Sequence, residues 1–144
     1  MKFISTLAFL VFALTTPTFA QSSAPVAVPD PVEWQTAITG QLEAFRAGDG
    51  PAALVFAGNG FKAAFPDPSK FYGAILSSGY EPLLTSRSHS FGEFQVVSED
   101  AVLQLVKVIG PNQLLYNAFY QMVREEGDCH VAGVQLNQTE GIGV

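Results

Sequence analysis

The hydrophobic period of the chain changes at Tyr80, and this limits its fold more than any other feature. Before Tyr80, apolar residues recur at helical intervals; after it, short apolar runs are joined by tight polar links. Asp30-Pro31-Val32-Glu33 opens the first helix, with a capping acid, a proline at the first helical position and an acid at the third, close to a capping box. Trp34, Ile38, Leu42 and Phe45 then share one helical face, and Gly48 ends the helix. Asp49 and Pro51 start a second, short helix through Ala57, which Gly58-Asn59-Gly60 is expected to end. Phe61–Phe65 reads as one more turn. A third helix is expected from about Pro68 to Ser78, with Phe71, Ile75 and Leu76 inward and Gly79 as its cap.

Beyond Tyr80, Glu81 to Ser90 reads as a loop or an irregular strand. Four strand-like segments follow, at Phe91–Val97, Ala101–Ile109, Gln113–Arg124 and Cys129–Gln135. Their links are Ser98-Glu99-Asp100, Gly110-Pro111-Asn112 and Glu125-Glu126-Gly127-Asp128, which are hairpin signals. Helices first and an antiparallel meander second is an α+β pattern. The expected fold is three N-terminal helices packed on the concave side of a curved antiparallel sheet of about four strands. Within the strands, Gln95, Gln104, Asn117 and Gln121 are expected on an exposed sheet face.

The N-terminus carries a different kind of signal. Lys2 precedes a nearly unbroken apolar stretch from Phe3 to Leu14, and Thr18 and Ala20 supply small side chains at the −3 and −1 positions of a cleavage site. Residues 1–20 therefore read as a secretory signal peptide cut between Ala20 and Gln21. A retained membrane anchor is the alternative, but the apolar run is about a dozen residues where a bilayer core needs roughly 20. No cysteine sits directly after the run, so no lipid tether is expected, and the mature chain should be free in the periplasm or secreted. The division expected is a signal peptide at 1–20, a flexible segment at 21–29, a single α+β domain at 30–137 and a tail at 138–144. Without Lys2, six basic residues face thirteen acidic ones, which argues against nucleic acid or anionic membrane as a partner.

Candidate chemistry is sparse. Cys129 is the only cysteine, so no internal disulfide can form; it is either buried or paired between chains. His130 is its strand neighbour and points to the opposite face, so the two cannot share a metal or act as a nucleophile–base pair. His89 reads as a solvated loop residue. No metal site, cofactor fingerprint or nucleophile elbow occurs, and no cofactor or catalytic residue is assigned. Tyr116 and Tyr120 are four apart on one strand and share a face. An isomerase-like reading would pair such a tyrosine with a buried acid, and no acid in the sequence is an evident candidate.

The run Gln41-Leu42-Glu43-Ala44-Phe45-Arg46-Ala47-Gly48-Asp49, followed by Ala53 and Phe56-Ala57, resembles the bacterial domain of unknown function 4864 family. Phe65, Pro68, Phe71, Ser78-Gly79-Tyr80 and Ala132-Gly133-Val134-Gln135-Leu136 extend the resemblance over roughly residues 32–137. It implies the cone-shaped fold of the nuclear-transport-factor-two-like group, also called cystatin-like and shared with ketosteroid isomerase. That group includes enzymes, ligand binders and interaction domains, so the fold does not choose a function. Such domains often end in a strand with a tryptophan packed under the helices, and Cys129 stands at that position here. The missing bulk implies either a cavity or compensation by Phe119, Tyr120 or Met122. The cavity lining expected from these arguments is Phe71, Tyr80, Tyr116, Tyr120 and Cys129. The leading expectation is a non-catalytic module of the cell envelope that binds a small apolar ligand or an envelope protein. A small isomerase- or dehydratase-like enzyme and a structural homodimer are the alternatives.

Overall fold

The computed structural model describes residues 29–139. The expected signal peptide, its cut between Ala20 and Gln21 and nearly all of the flexible segment lie outside the described residues, as do residues 140–144 of the tail. The element order is α1 (Val32–Arg46), α2 (Gly50–Val55), α3 (Asn59–Ala64), a 3-10 turn (Pro68–Lys70), α4 (Phe71–Ser77), α5 (Glu81–Leu84), β1 (Ser88–Ser98), β2 (Ala101–Ile109), β3 (Leu115–Glu125) and β4 (Asp128–Gln138). Among these elements, no helix is long and apolar enough to cross a membrane.

The Asp30 carboxylate accepts from the Val32 amide at 3.0 Å at the start of α1. Glu33 does not close a capping box; its carboxylate pairs with Arg124 of β3 instead. Trp34, Ile38, Leu42 and Phe45 are buried on one stripe, together with Gln41. Gly48 takes φ +68°, which suits glycine and lets the chain reverse. The Asp49 carboxylate then caps α2 at the Ala52 amide, 3.0 Å away.

Several boundaries move for identifiable reasons. Gly58-Asn59-Gly60 starts α3 instead of only ending α2: Gly58 donates to the Val131 carbonyl at 2.8 Å, and the Asn59 amide is capped by the Glu125 carboxylate at 2.9 Å. Both partners lie on the sheet, far away in sequence. The third expected helix divides into the 3-10 turn and α4, with Phe71 buried but Leu76 42% exposed rather than inward. Glu81 to Ser90 is neither loop nor irregular strand: Glu81-Pro82 opens α5, Leu83 and Leu84 bury themselves, and β1 begins at Ser88. Five helices and a 3-10 turn thus replace the three expected. β3 starts at Leu115 and not Gln113, because Gln113 has φ +66° and belongs to the turn. Gln138 is the last residue of β4 rather than part of a frayed tail.

The sheet is an open antiparallel meander in the order β1-β2-β3-β4. Val102, Gln104, Val106 and Val108 of β2 alternate inward, matched by Ala118, Tyr120 and Met122 of β3. Gln104 therefore sits in the core and not on the exposed face. Gly92 and Glu93 form a bulge on β1 between the Phe91–Val106 and Phe94–Gln104 pairs. The helices cover the inward face, and the core lies between the two layers.

Candidate functional site: a cavity under the helices

An uncharged cavity of about 250 Å³ opens between the helical layer and the β3–β4 half of the sheet. Phe71 of α4 organises one wall, with ring centroids 5.3 Å from Phe65, 5.8 Å from Phe45 and 6.1 Å from Phe61. Tyr80, Leu83, Val131 and Val134 close the other side. Polar groups in the lining are few, and most are engaged. The Tyr80 hydroxyl donates to the Val134 carbonyl at 2.9 Å, Ser78 Oγ to the Ala74 carbonyl at 2.8 Å, and the Gln41 amide nitrogen to the Ala53 carbonyl at 3.2 Å.

Tyr120 is the exception. It lines the cavity, is 0% exposed, and its hydroxyl has no hydrogen-bond partner among the described residues. Burial raises its pKa well above the ordinary phenol range, and the nearby Arg46 charge offsets part of that shift. The phenol therefore stays neutral and keeps its proton.

Three of the five residues expected to line a cavity meet there: Phe71, Tyr80 and Tyr120. Tyr116 does not. It shares the inward face, but its half-buried ring lies near Gly110 at the β2–β3 turn. Cys129 does not either. Its half-buried thiol lies 4.0 Å from Glu33 Oε2, beside the Glu33–Arg124 pair. The void next to it is only about 20 Å³ and is bordered by Trp34 and Met122. Burial raises the Cys129 pKa, with Arg124 acting in the opposite direction.

The acid–tyrosine pair of the isomerase reading is not assembled among the described residues. Every described Asp and Glu is exposed except Glu125, which is half-buried and caps α3. No group of three metal-ligating side chains occurs among the described residues. His89 is not a solvated loop residue; it is the second residue of β1 and half-buried. Its Nδ1 lies 2.9 Å from Arg46 Nη2 and must accept, so Nε2 carries the proton and faces Thr39 Oγ1 at 3.2 Å. Its pKa is lowered by burial and by Arg46, against an opposing effect of Glu43. His130 is half-buried and not fully solvated, with Nδ1 3.2 Å from the Asp128 carbonyl.

Gln41 and Gln104 are both buried, although Gln104 is expected from the sequence on an exposed sheet face. Gln41 follows Trp34 by seven residues and precedes Phe45 by four, so the helical period already puts it on the buried stripe. No comparable signal marks Gln104, whose burial depends on Trp34 seventy positions away.

Helices packed on one face of an open four-stranded antiparallel meander, with an uncharged cavity between the layers, define an α+β helix-on-sheet domain. The chain belongs to the family described as Domain of unknown function (DUF4864), whose model matches residues 27–144. No curated protein matches it in sequence. Among solved structures it is similar to an NTF2-like protein of unknown function from Shewanella baltica OS155, with 9% identity, a TM-score of 0.47, and coverage of 79% of this chain and 100% of that one.

Proposed function

We propose that this protein is an exported, non-catalytic binding module of the cell envelope whose cavity takes a small apolar ligand. The observation that carries the reading is the cavity itself: about 250 Å³, lined mainly by aromatic and aliphatic side chains and without a charged side chain in its lining. Ligand pockets are typically apolar with a few placed polar groups, and this one lies just below the usual range of roughly 300–1,000 Å³. Export rests on Lys2, the apolar Phe3–Leu14 run and the Thr18–Ala20 site. Two measurements test the proposal. N-terminal sequencing of the protein from its own cells should begin at Gln21; an intact Met1 contradicts export. Mass spectrometry of a denaturing extract should find a small apolar compound with the wild type and not with Val134→Phe, which fills the cavity. Equal recovery from both contradicts the pocket.

A homodimer through the outer sheet face is a second reading. Leu103, Leu105 and Phe119 lie on that face, opposite the buried Gln104, Val106 and Tyr120, and are half-buried without a covering layer. Sedimentation tests it: a monomer at micromolar concentration removes it.

A further inference from the structure

We propose that the depression between the end of α1, Tyr72 of α4 and the α5–β1 link is a second binding site, separate from the cavity, and that it takes the carboxylate of a small organic acid. Its charge comes from Arg46, the last residue of α1. The Arg46 side chain is half-buried and held in one place. Its Nε donates at 3.0 Å to both the carbonyl and the hydroxyl of Ser86, and its Nη2 donates to His89 Nδ1 at 2.9 Å. Among the described residues the only ion pair is Glu33–Arg124, so no carboxylate there neutralises Arg46. A guanidinium carries N–H donors on all three nitrogens, and Nη1 has no partner among the described residues. It is open to solvent, because the one buried side-chain polar atom without a partner among those residues is the Tyr120 hydroxyl.

Arg46 and Tyr72 line the same open depression, of about 480 Å³. The Tyr72 hydroxyl likewise has no partner among the described residues and is open to solvent, which makes it the second donor. Its side chain can sit there because Gly50 of α2 has none: a Cβ on Gly50 would come within 3.0 Å of Tyr72 Cβ. The remaining hydroxyls are engaged, Thr85 Oγ1 with the Glu81 carbonyl at 2.9 Å and Ser86 Oγ with the Leu83 carbonyl at 3.2 Å. The α1 carbonyls of Glu43, Ala44 and Phe45 accept from the amides of Ala47, Asp49 and Gly48, so they are not bare towards an anion. No acid lines the depression; Glu43 acts on His89 instead. A fixed cation and one hydroxyl suit a planar, singly charged group with two acceptor oxygens, and Ala47 and Leu84 suit a short apolar body. The second charge of a phosphate would meet no further cation in this lining, in a chain of net charge −6.

Butyrate, butyramide and inorganic phosphate are titrated at neutral pH into the wild type, Ala47→Glu and Tyr72→Phe, with backbone amide NMR as the readout. Ala47 is exposed in the lining, so a glutamate there is tolerated by the fold and sets its own carboxylate beside Arg46. Butyrate should give saturable shifts at Gly48 and Thr85 of the wild type. Its affinity should fall about tenfold or more in Ala47→Glu and about fivefold in Tyr72→Phe, the scale of one hydrogen bond. Butyramide has the same shape without the charge and should not saturate. An equal response to butyrate and butyramide overturns the carboxylate, and so does tighter binding of phosphate. Unchanged butyrate affinity in Ala47→Glu puts the binding away from Arg46 and overturns the site, while unchanged affinity in Tyr72→Phe overturns the second donor. Shifts that stay linear with butyrate on the folded wild type overturn the site altogether and leave the cavity reading standing.

Discussion

Gln104 and Tyr120 face each other directly across β2 and β3, both fully buried on the same side of the sheet. Their surroundings could hardly differ more. Gln104 Oε1 accepts from Trp34 Nε1 at 2.8 Å and Gln35 Nε2 at 3.3 Å. Its nitrogen donates to the carbonyls of Leu105 at 2.8 Å and Gly92 at 3.0 Å. The Gly92 carbonyl belongs to the β1 bulge, where the ladder leaves backbone groups unmatched. One side chain thus ties α1, β1 and β2 together. Tyr120 ties nothing: its buried hydroxyl has no hydrogen-bond partner among the described residues. Adjacent positions in one core can therefore serve opposite ends. A fully satisfied polar group fixes the packing, while an unsatisfied one adds nothing to it.

The strongest challenge to this contrast is Gln104→Leu. It strands the Trp34 indole donor and the bulge carbonyl in the core, so urea unfolding should show a loss of about 3 kcal/mol or more. Trp34→Phe removes one partner and part of the edge contact with Phe94, at 5.1 Å between centroids, and should lose about 1–2 kcal/mol. A loss of a few tenths of a kcal/mol in either variant would mean that the network is decorative.

A smaller, pH-dependent effect is expected at His89, which meets Thr39, Glu43 and Arg46 of α1. Its native pKa is below the ordinary 6.5, so the unfolded chain takes up the proton first as pH falls. The stability it contributes is complete above about 6.5 and is lost as pH drops below that toward the lowered native value. Melting temperature should therefore fall more steeply below that point for the wild type than for His89→Gln; parallel curves would show that His89 does not titrate this way. The smallest change is expected for Tyr120→Phe without ligand, between no effect and a gain of up to about 1 kcal/mol, because an unpaired buried hydroxyl disappears. A loss of 1 kcal/mol or more would show that the hydroxyl has a partner and would end the contrast with Gln104.

Much of the architecture was legible in the sequence because it is local. The Trp34–Phe45 spacing, the Asp49 cap and the Glu126-Gly127 turn depend on neighbouring residues alone, and each is found. Long-range partners decided what was missed. Glu125 makes Asn59 a helix start, and Trp34 draws Gln104 inward against the usual rule that polar strand residues face water. The candidate site shows the same division. Its aromatic supply was visible, and Tyr80 and Tyr120 were picked out, but their meeting with Phe71 depends on how α4 lies over β3 and β4. Cys129 and Tyr116 share the inward side with Tyr120, and strand alternation cannot tell that they lie away from the cavity along that side.

Methyl NMR of the wild type titrated with naphthalene tests the central claim most directly. Saturable shifts are predicted at Ile75, Leu83 and Val134, which line the cavity, with Val102 and Val108 of the Gln104 side of the core unmoved. No shift at any methyl, or shifts confined to Leu103 and Leu105 on the outer sheet face, would contradict it.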